Sequence, residues 1–264
     1  MISEAVARDD DHYYVALGDG RYRPTPHTQG AWQETEQHMA PMGGLLVHAL
    51  ERHDPRPDLQ WSRISFDILG MIHLEETTVR TRTLRPGRTI ELVEATASAG
   101  GRDVVRATAW RLAVSDTTEV ATIEREPMSG PQEAGPWTGM QHWGGGFIRS
   151  LEFRELTGGR PGRRAAWIGT RHPLVAGEES TPLARWAGRL DTANGIAIRE
   201  SPQEWLFPNV DLTLHLHRTP VDGWLGLETE VHWGPTGMGQ TSSVAHDELG
   251  PVGTVEQSLT IRRR

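Results

Sequence analysis

Residues 63–70 read "RISFDILG" and residues 211–218 read "DLTLHLHR". Both alternate. Ile64, Phe66 and Ile68 share one face of the first, and Leu212, Leu214 and Leu216 one face of the second. A period of two marks a half-buried β-strand. The second stretch lies 148 residues after the first (212 minus 64). The same step pairs "TTVRTRT" (from Thr77) with "LGLETEV" (from Leu225). It also pairs "GGRDVVRATAW" (ending at Trp110) with "LGPVGTVEQS" (ending at Ser258), so that Val104 meets Val252 and Ala109 meets Gln257. The pattern of elements therefore repeats in register, and the chain reads as two similar halves.

Each half carries one helix candidate ahead of its strands. In the first it is "GGLLVHALER", Gly43 to Arg52, with Leu45, Leu46, Ala49 and Leu50 at helical spacing, ended by the prolines of "HDPRPD". In the second, "STPLARWAGRL" offers Ser180 or Thr181 as cap and Pro182 near the first helical position. The step of 148 sets Gly43 against Asp191, and "TANGIAIRE" against the first helix. The Gly- and Pro-rich segment 125–146 reads as a linker between an N-terminal half, 1–124, and a C-terminal half, 147–264. A helix followed by an antiparallel meander, made twice, predicts an α+β double hot-dog: two antiparallel curved sheets, each wrapping a helix, related by a pseudo-twofold axis.

Composition narrows the function. There is no Cys, which removes disulfides, thiolate metal sites and a Cys nucleophile, and fits a cytoplasmic protein. The net charge of -8 argues against nucleic-acid binding, and the terminal "RRR" reads as a solvated tail. No apolar run is long enough to span a membrane, and "MISEAVARDDDHYY" lacks the apolar core of a signal peptide. Trp, at 10, outnumbers Tyr at 3 and Phe at 4, which suits cores and apolar ligand walls. No G-x-S-x-G elbow, P-loop or complete dinucleotide fingerprint is present.

The stretches "GAWQETEQHMAPMGGLLVHALER", "LRPGRTIELVEATASAGGRDVVRATA", "AAWIGTRHPLVAGEESTPLARWAGRLDTANGIAI", "NVDLTLHLHRTPVDGWLGLETEV" and "HDELGPVGTVEQSLTIRR" resemble the thioesterase-like superfamily of double hot-dog proteins. Within it the chain resembles actinobacterial acyl-CoA thioesterase-domain proteins and, more distantly, acyl-CoA thioesterase II. The likeness runs from about Tyr22 to the end. It implies hydrolysis of an acyl thioester, carried by CoA or a carrier protein, without a cofactor or metal, in a homodimer or higher homo-oligomer. It also implies a water-activating trio of Asp, Thr and Gln. Asp191 and Gln257 match two of these positions, and the Thr position is Asn209, which departs from the pattern.

The chemistry of the residues agrees with that trio. An Asp with raised pKa can deprotonate water or attack a thioester directly. Asn209 and Gln257 would orient the water, with Asn194 and Gly195 close by in sequence. Gly43 and Gly44, at an expected helix start, offer N–H groups for an oxyanion, or simply let helix and sheet pack closely. His38 precedes that helix and is a candidate for the cleft wall. Asp211, His215 and His217 share a strand face, which reads as surface rather than metal site, and "HDELG" reads as a hairpin turn. Two further classes stay open: a binding protein without turnover, and a hot-dog enzyme recruited to hydration or cyclisation. A hydratase is expected to show an Asp/His pair, and no His lies near Asp191 in sequence.

Overall fold

Ser65 and Thr213 face each other at the middle of the molecule, their hydroxyl oxygens 2.9 Å apart. The computed structural model describes residues 11–264, so most of the acidic opening segment lies outside the described residues. The first half runs β1 (Tyr14–Gly18), β2 (Arg21–Pro24), α1 (Met39–Arg52), β3 (Leu59–Ile68), β4 (Thr77–Arg85), β5 (Ile90–Ala99) and β6 (Arg102–Ala113). A crossing segment holds β7 (Gly135–Pro136) and α2 (Gly146–Arg149). The second half opens with β8 (Leu151–Glu155), β9 (Arg163–Thr170), β10 (Val175–Ala176), α3 (Pro182–Ala187) and α4 (Ala193–Ile196). It continues through β11 (Trp205–Leu206), β12 (Asp211–Leu216), β13 (Leu225–Trp233), β14 (Met238–Asp247), β15 (Gly250–Thr260) and β16 (Arg262–Arg263).

The repeat step holds from strand to strand. Outward from the central antiparallel pair β3 and β12, the order is β6-β5-β4-β2-β1 on one side and β15-β14-β13-β9-β8 on the other. Ser65 lies opposite Thr213, Asp67 opposite Asp211 and Arg63 opposite His215, so a twofold axis there exchanges residues 148 apart. Val79 pairs with Ala97 as Leu227 pairs with Ala245, and Ala95 with Ala107 as Ser243 with Val255. A bulge falls between Ala97 and Ser98 in one half and between Ala245 and His246 in the other. Bulges set local twist, so the two halves bend at the same place.

Two expectations change. The separate sheets are one 14-stranded sheet, because β3 and β12 would otherwise be edge strands with unpaired N–H and C=O groups. The second half's helix is not single. Thr181 caps α3 through its side chain, with Pro182 in the first turn, but α3 stops at Gly188. A 3-10 turn, Leu190–Thr192, then leads into the short α4.

The first helix starts earlier than its sequence suggests. Met39 is its first residue and His38 its cap, the His38 ring accepting from the Ala40 N–H. Pro41 falls in the first turn, where its missing N–H has no helical partner to lose. Leu45, Leu46, Val47 and Leu50 are completely buried; each such side chain contributes roughly 1.5–3 kcal/mol over exposure. Helix α1 packs against the sheet and against α3. A Cβ on Gly44 would stand 2.8 Å from Gly188 Cα and 3.0 Å from Ala184 O, so this glycine permits the two helices to touch. Among the described residues, no helix is long and apolar enough to cross a membrane.

Candidate active site

The interruption between α3 and α4 places Asp191. Asp191 lies in the 3-10 turn Leu190–Thr192, and its side chain is 8% exposed. Asn209 Nδ2 donates to Asp191 Oδ1 at 2.7 Å, and Gln257 Nε2 donates to the same oxygen at 2.8 Å. Gln257 comes from β15, and Asn209 from the segment before β12, bridged to Leu259. Residues 66 apart in sequence thus meet because strand pairing places them together.

Among the described residues no donor is bonded to Asp191 Oδ2. His38 Nδ1 lies 3.5 Å from it, but that nitrogen already accepts the Ala40 N–H. An accepting nitrogen carries no proton there, so His38 presents a lone pair rather than a counter-charge. Burial holds His38 down to about 4, so the ring is neutral near neutral pH. Burial also pushes Asp191 up to about 7, against the two amide hydrogen bonds that favour its charged form. The result is a carboxylate near its own pKa at neutral pH, with one oxygen clamped and one unclaimed.

Two spaces meet at Asp191. One is a cleft of about 570 Å³ lined by both halves: Trp32, His38, Met39 and Ile72 from the first, and Leu206 and Asn209 from the second, among others. The other is a chamber of about 40 Å³ lined by His38, Asp191, Asn194, Gly195, Asn209 and the rings of Trp32 and Trp143. Trp32 and Trp143 meet edge to face at 5.0 Å on its apolar wall, and both pack edge to face on the buried Phe207 behind them, at 5.5 and 5.8 Å. Asn194 donates to Phe207 O at 3.0 Å, while its own Oδ1 is buried without a partner. A larger cavity, about 690 Å³, lies elsewhere; its carboxylates, Glu152 and Asp222, are ion-paired to Arg154 and Arg185.

Most of the sequence candidates gather here: Asp191, Asn209, Gln257, His38, Asn194 and Gly195. Gly43 and Gly44 do not serve as expected. They lie in the second turn of α1, where N–H groups are committed to carbonyls four residues back. Pro41 has no N–H and Ala40's is taken by His38, leaving Met39 as the donor that the first turn can offer. Asn209 also differs from its expected role: both its amide hydrogens are used, on Asp191 Oδ1 and on Asp211 O. Its hydrogens hold protein oxygens, which leaves its Oδ1 as the atom free to meet a water.

Several contributors were not legible. Met140 and Trp143 come from the segment that reads as a linker, yet they are 3% and 8% exposed and wall the chamber. Their spacing from Gly195 gives no signal, although two large apolar residues in a Gly-rich stretch hint at packing. The supposed tail also reaches the site, since Arg262 and Arg264 line the cleft. The His38–Asp191 approach joins the two halves, so no local motif records it. Asp211 receives Ser258 N–H at 2.6 Å and is a strand-pairing group. Among the described residues, no three His, Cys, Asp or Glu side chains gather as a metal site.

Residues 124–261 match the acyl-CoA thioesterase C-terminal domain and residues 28–112 the acyl-CoA thioesterase N-terminal domain. No curated protein matches the chain. Among solved structures, a conserved protein with a hot-dog fold from Alicyclobacillus acidocaldarius superposes with TM-score 0.75 at 12% identity, over 96% of this chain and 97% of that one. An acyl-CoA thioesterase II from Mycobacterium marinum superposes with TM-score 0.66 at 16% identity, over 97% and 96%. A protein from Novosphingobium aromaticivorans assigned as a thioesterase superposes with TM-score 0.71 at 19% identity, over 94% and 98%. At these identities the likeness establishes the hot-dog fold.

Proposed function

The chain belongs to the acyl-CoA thioesterase family, and from that premise we propose that it hydrolyses an acyl thioester with Asp191 as the base that activates water. The observation that carries this reading is the state of one side chain. Asp191 is buried where cleft and chamber meet, with Oδ1 clamped by two amides and Oδ2 unclaimed. A chamber of about 40 Å³ with polar partners can accommodate a water molecule. Oδ2 takes a proton from that water as its oxygen attacks the thioester carbonyl carbon. The carbonyl oxygen becomes an oxyanion, which the Met39 N–H at the start of α1 stabilises, aided by the positive end of that helix. The intermediate collapses, the C–S bond breaks, and protonated Asp191 returns its proton to the thiolate. The acid and the thiol leave, and Asp191 is ionised again.

Direct attack by Oδ2, giving an anhydride, is the alternative use of the same atom. After a single turnover in ¹⁸O-water, label in Asp191 identifies the anhydride route, with water attacking the aspartyl carbonyl. Ser180, His48 and Glu178 form a hydrogen-bonded chain, but none lines either space at Asp191. We read the two halves as a double hot-dog, supported by the mirrored strand order, in a cytoplasmic homo-oligomer. The deciding experiment is hydrolysis across a series of acyl-CoA chain lengths, followed by free thiol. Saturable turnover supports the reading; binding with no turnover of any thioester leaves a binding protein instead.

One observation favours a second reading. His38 stands 3.5 Å from Asp191, the Asp/His pairing that water addition or elimination requires. Incubation with 2-enoyl-CoA and 3-hydroxyacyl-CoA, followed at the enoyl chromophore, tests it in the same preparation.

A further inference from the structure

The three terminal arginines are tied into the structure. Strand β16 pairs antiparallel with β11, setting Arg262 opposite Leu206 and Arg263 opposite Trp205. Arg264 N–H donates to Glu204 O at 3.0 Å, and Ile261 N–H to Gly237 O at 2.8 Å. In an extended segment alternate residues share a side. Arg262 and Arg264 accordingly both line the cleft that holds Asp191, while Arg263 lays its guanidinium over the Trp205 ring at 5.5 Å.

Neither cleft arginine has a carboxylate partner among the described residues. The side-chain bond of Arg262 is to Thr260 Oγ1, at 3.2 Å. Elsewhere some arginines are paired, as in Arg56–Asp58, Arg106–Asp67 and Arg185–Asp222, and others, such as Arg85 and Arg199, meet only backbone carbonyls, so what distinguishes Arg262 and Arg264 is their shared place on the cleft. With 35 acidic residues against 27 basic ones, acid partners are not scarce. The cleft's own carboxylates are Asp191, clamped by amides, and Glu36, whose Oε1 accepts the N–H groups of Trp32 and Gln33. Two unpaired guanidinium groups beside an apolar-walled cleft form a site for an anion, and the guanidinium fork matches phosphate oxygens.

We propose that Arg262 and Arg264 are the phosphate-recognition element of this cleft, holding the phosphate on the pantetheine arm that carries the thioester. The proposal rests on the thioesterase reading. Coenzyme A and a phosphopantetheinylated carrier protein share this chemistry. These are specificity residues: they hold the carrier while Asp191 works at the acyl end.

The test compares the Arg262→Gln/Arg264→Gln double variant with the parent on one acyl chain presented as acyl-CoA, as acyl-carrier protein and as acyl-N-acetylcysteamine, which lacks phosphate. The expected result is a KM for acyl-CoA raised roughly 10- to 100-fold with kcat nearly unchanged, and no change for the N-acetylcysteamine thioester. A rise shared by the carrier protein supports the pantetheine phosphate; a rise for acyl-CoA alone places the contact on the nucleotide phosphates and overturns the pantetheine assignment. An equal loss on the phosphate-free thioester, or an unchanged KM for acyl-CoA, overturns the proposal. Calorimetric titration with CoA itself gives a readout independent of turnover. If the parent hydrolyses nothing yet binds CoA, and the double variant does not, hydrolysis fails and phosphate recognition stands. Arg263→Gln, altered on the opposite side of the strand, controls for folding and should bind CoA like the parent.

Discussion

The two halves place very different residues at equivalent positions. Asp191, Asn209 and Gln257 have counterparts 148 residues earlier at Gly43, Trp61 and Ala109. For the strand positions the structure bears the equivalence out: Ala109 lies opposite Ile64 as the β12–β15 register sets Gln257 opposite Leu212, and Trp61 lies opposite Arg111 as Asn209 lies opposite Leu259. One half presents a glycine, an indole and a methyl group where the other presents a carboxylate and two amides. The helices differ in the same sense. Helix α1 runs unbroken for 14 residues, whereas the helical segment of the second half is interrupted at Gly188, where a 3-10 turn carries Asp191. The continuous half supplies a helix N-terminus and a wall to the cleft, and the broken half supplies the carboxylate proposed as the base.

Asp191→Asn attacks this asymmetry most directly. It keeps the shape and both neighbours but removes the base, and kcat should fall by roughly 10²–10⁴ with substrate binding largely kept. Steady-state kinetics on a turned-over thioester decide it; parent-like turnover makes Asp191 a structural residue. The parent's activity should fall as pH drops through about 7, where Asp191 takes up its proton. A pH–rate profile whose acid limb lies near the usual carboxylate range would break the assignment.

Gly44→Ala tests the contact between the two helices. The added methyl meets backbone at Gly188 and Ala184 rather than a yielding side chain. A loss of about 1–3 kcal/mol is expected in denaturant unfolding, with reduced turnover because α3 leads into the Asp191 turn. Gln257→Ala removes one clamp on Oδ1. Turnover should fall about 10-fold, less than for Asp191→Asn, since Gln257 positions the base and does not exchange its proton. Losing a donor to the charged form should also move the acid limb of the pH profile upward. An unmoved limb would mean that the hydrogen bond does not control Asp191.

The smallest effect concerns stability. The folded-state pKa of Asp191 is raised above its unfolded value, so ionising it costs folding energy. That contribution is favourable below the unfolded pKa and is lost as pH rises through about 7. Asp191→Asn should therefore be more stable than the parent at pH about 8, by at least about 1 kcal/mol, and gain less at pH about 5. Thermal unfolding at the two pH values measures the difference; a variant less stable at both would show that the charge is not the costly element.

The repeat and the strands were legible because each is written in local pattern: alternation at Ile64 and Leu212, a cap and proline at Thr181 and Pro182, a constant step between halves; the carboxylate was pointed to by the family resemblance instead. The start of α1 was misplaced because Pro41, Gly43 and Gly44 look like breakers. A proline costs little in a first turn, and Gly44 serves a neighbouring helix that its own segment cannot reveal. Sequence alone thus determined the repeat of strands, and the resemblance it carries pointed to Asp191, Asn209 and Gln257 as partners. Only the tertiary structure decided that both amides clamp one oxygen, that His38 approaches from the other half, that Trp143 closes the chamber and that Arg262 and Arg264 line the cleft. Those contacts join residues far apart in the chain, and it is strand register and helix packing, not any local preference, that bring them together.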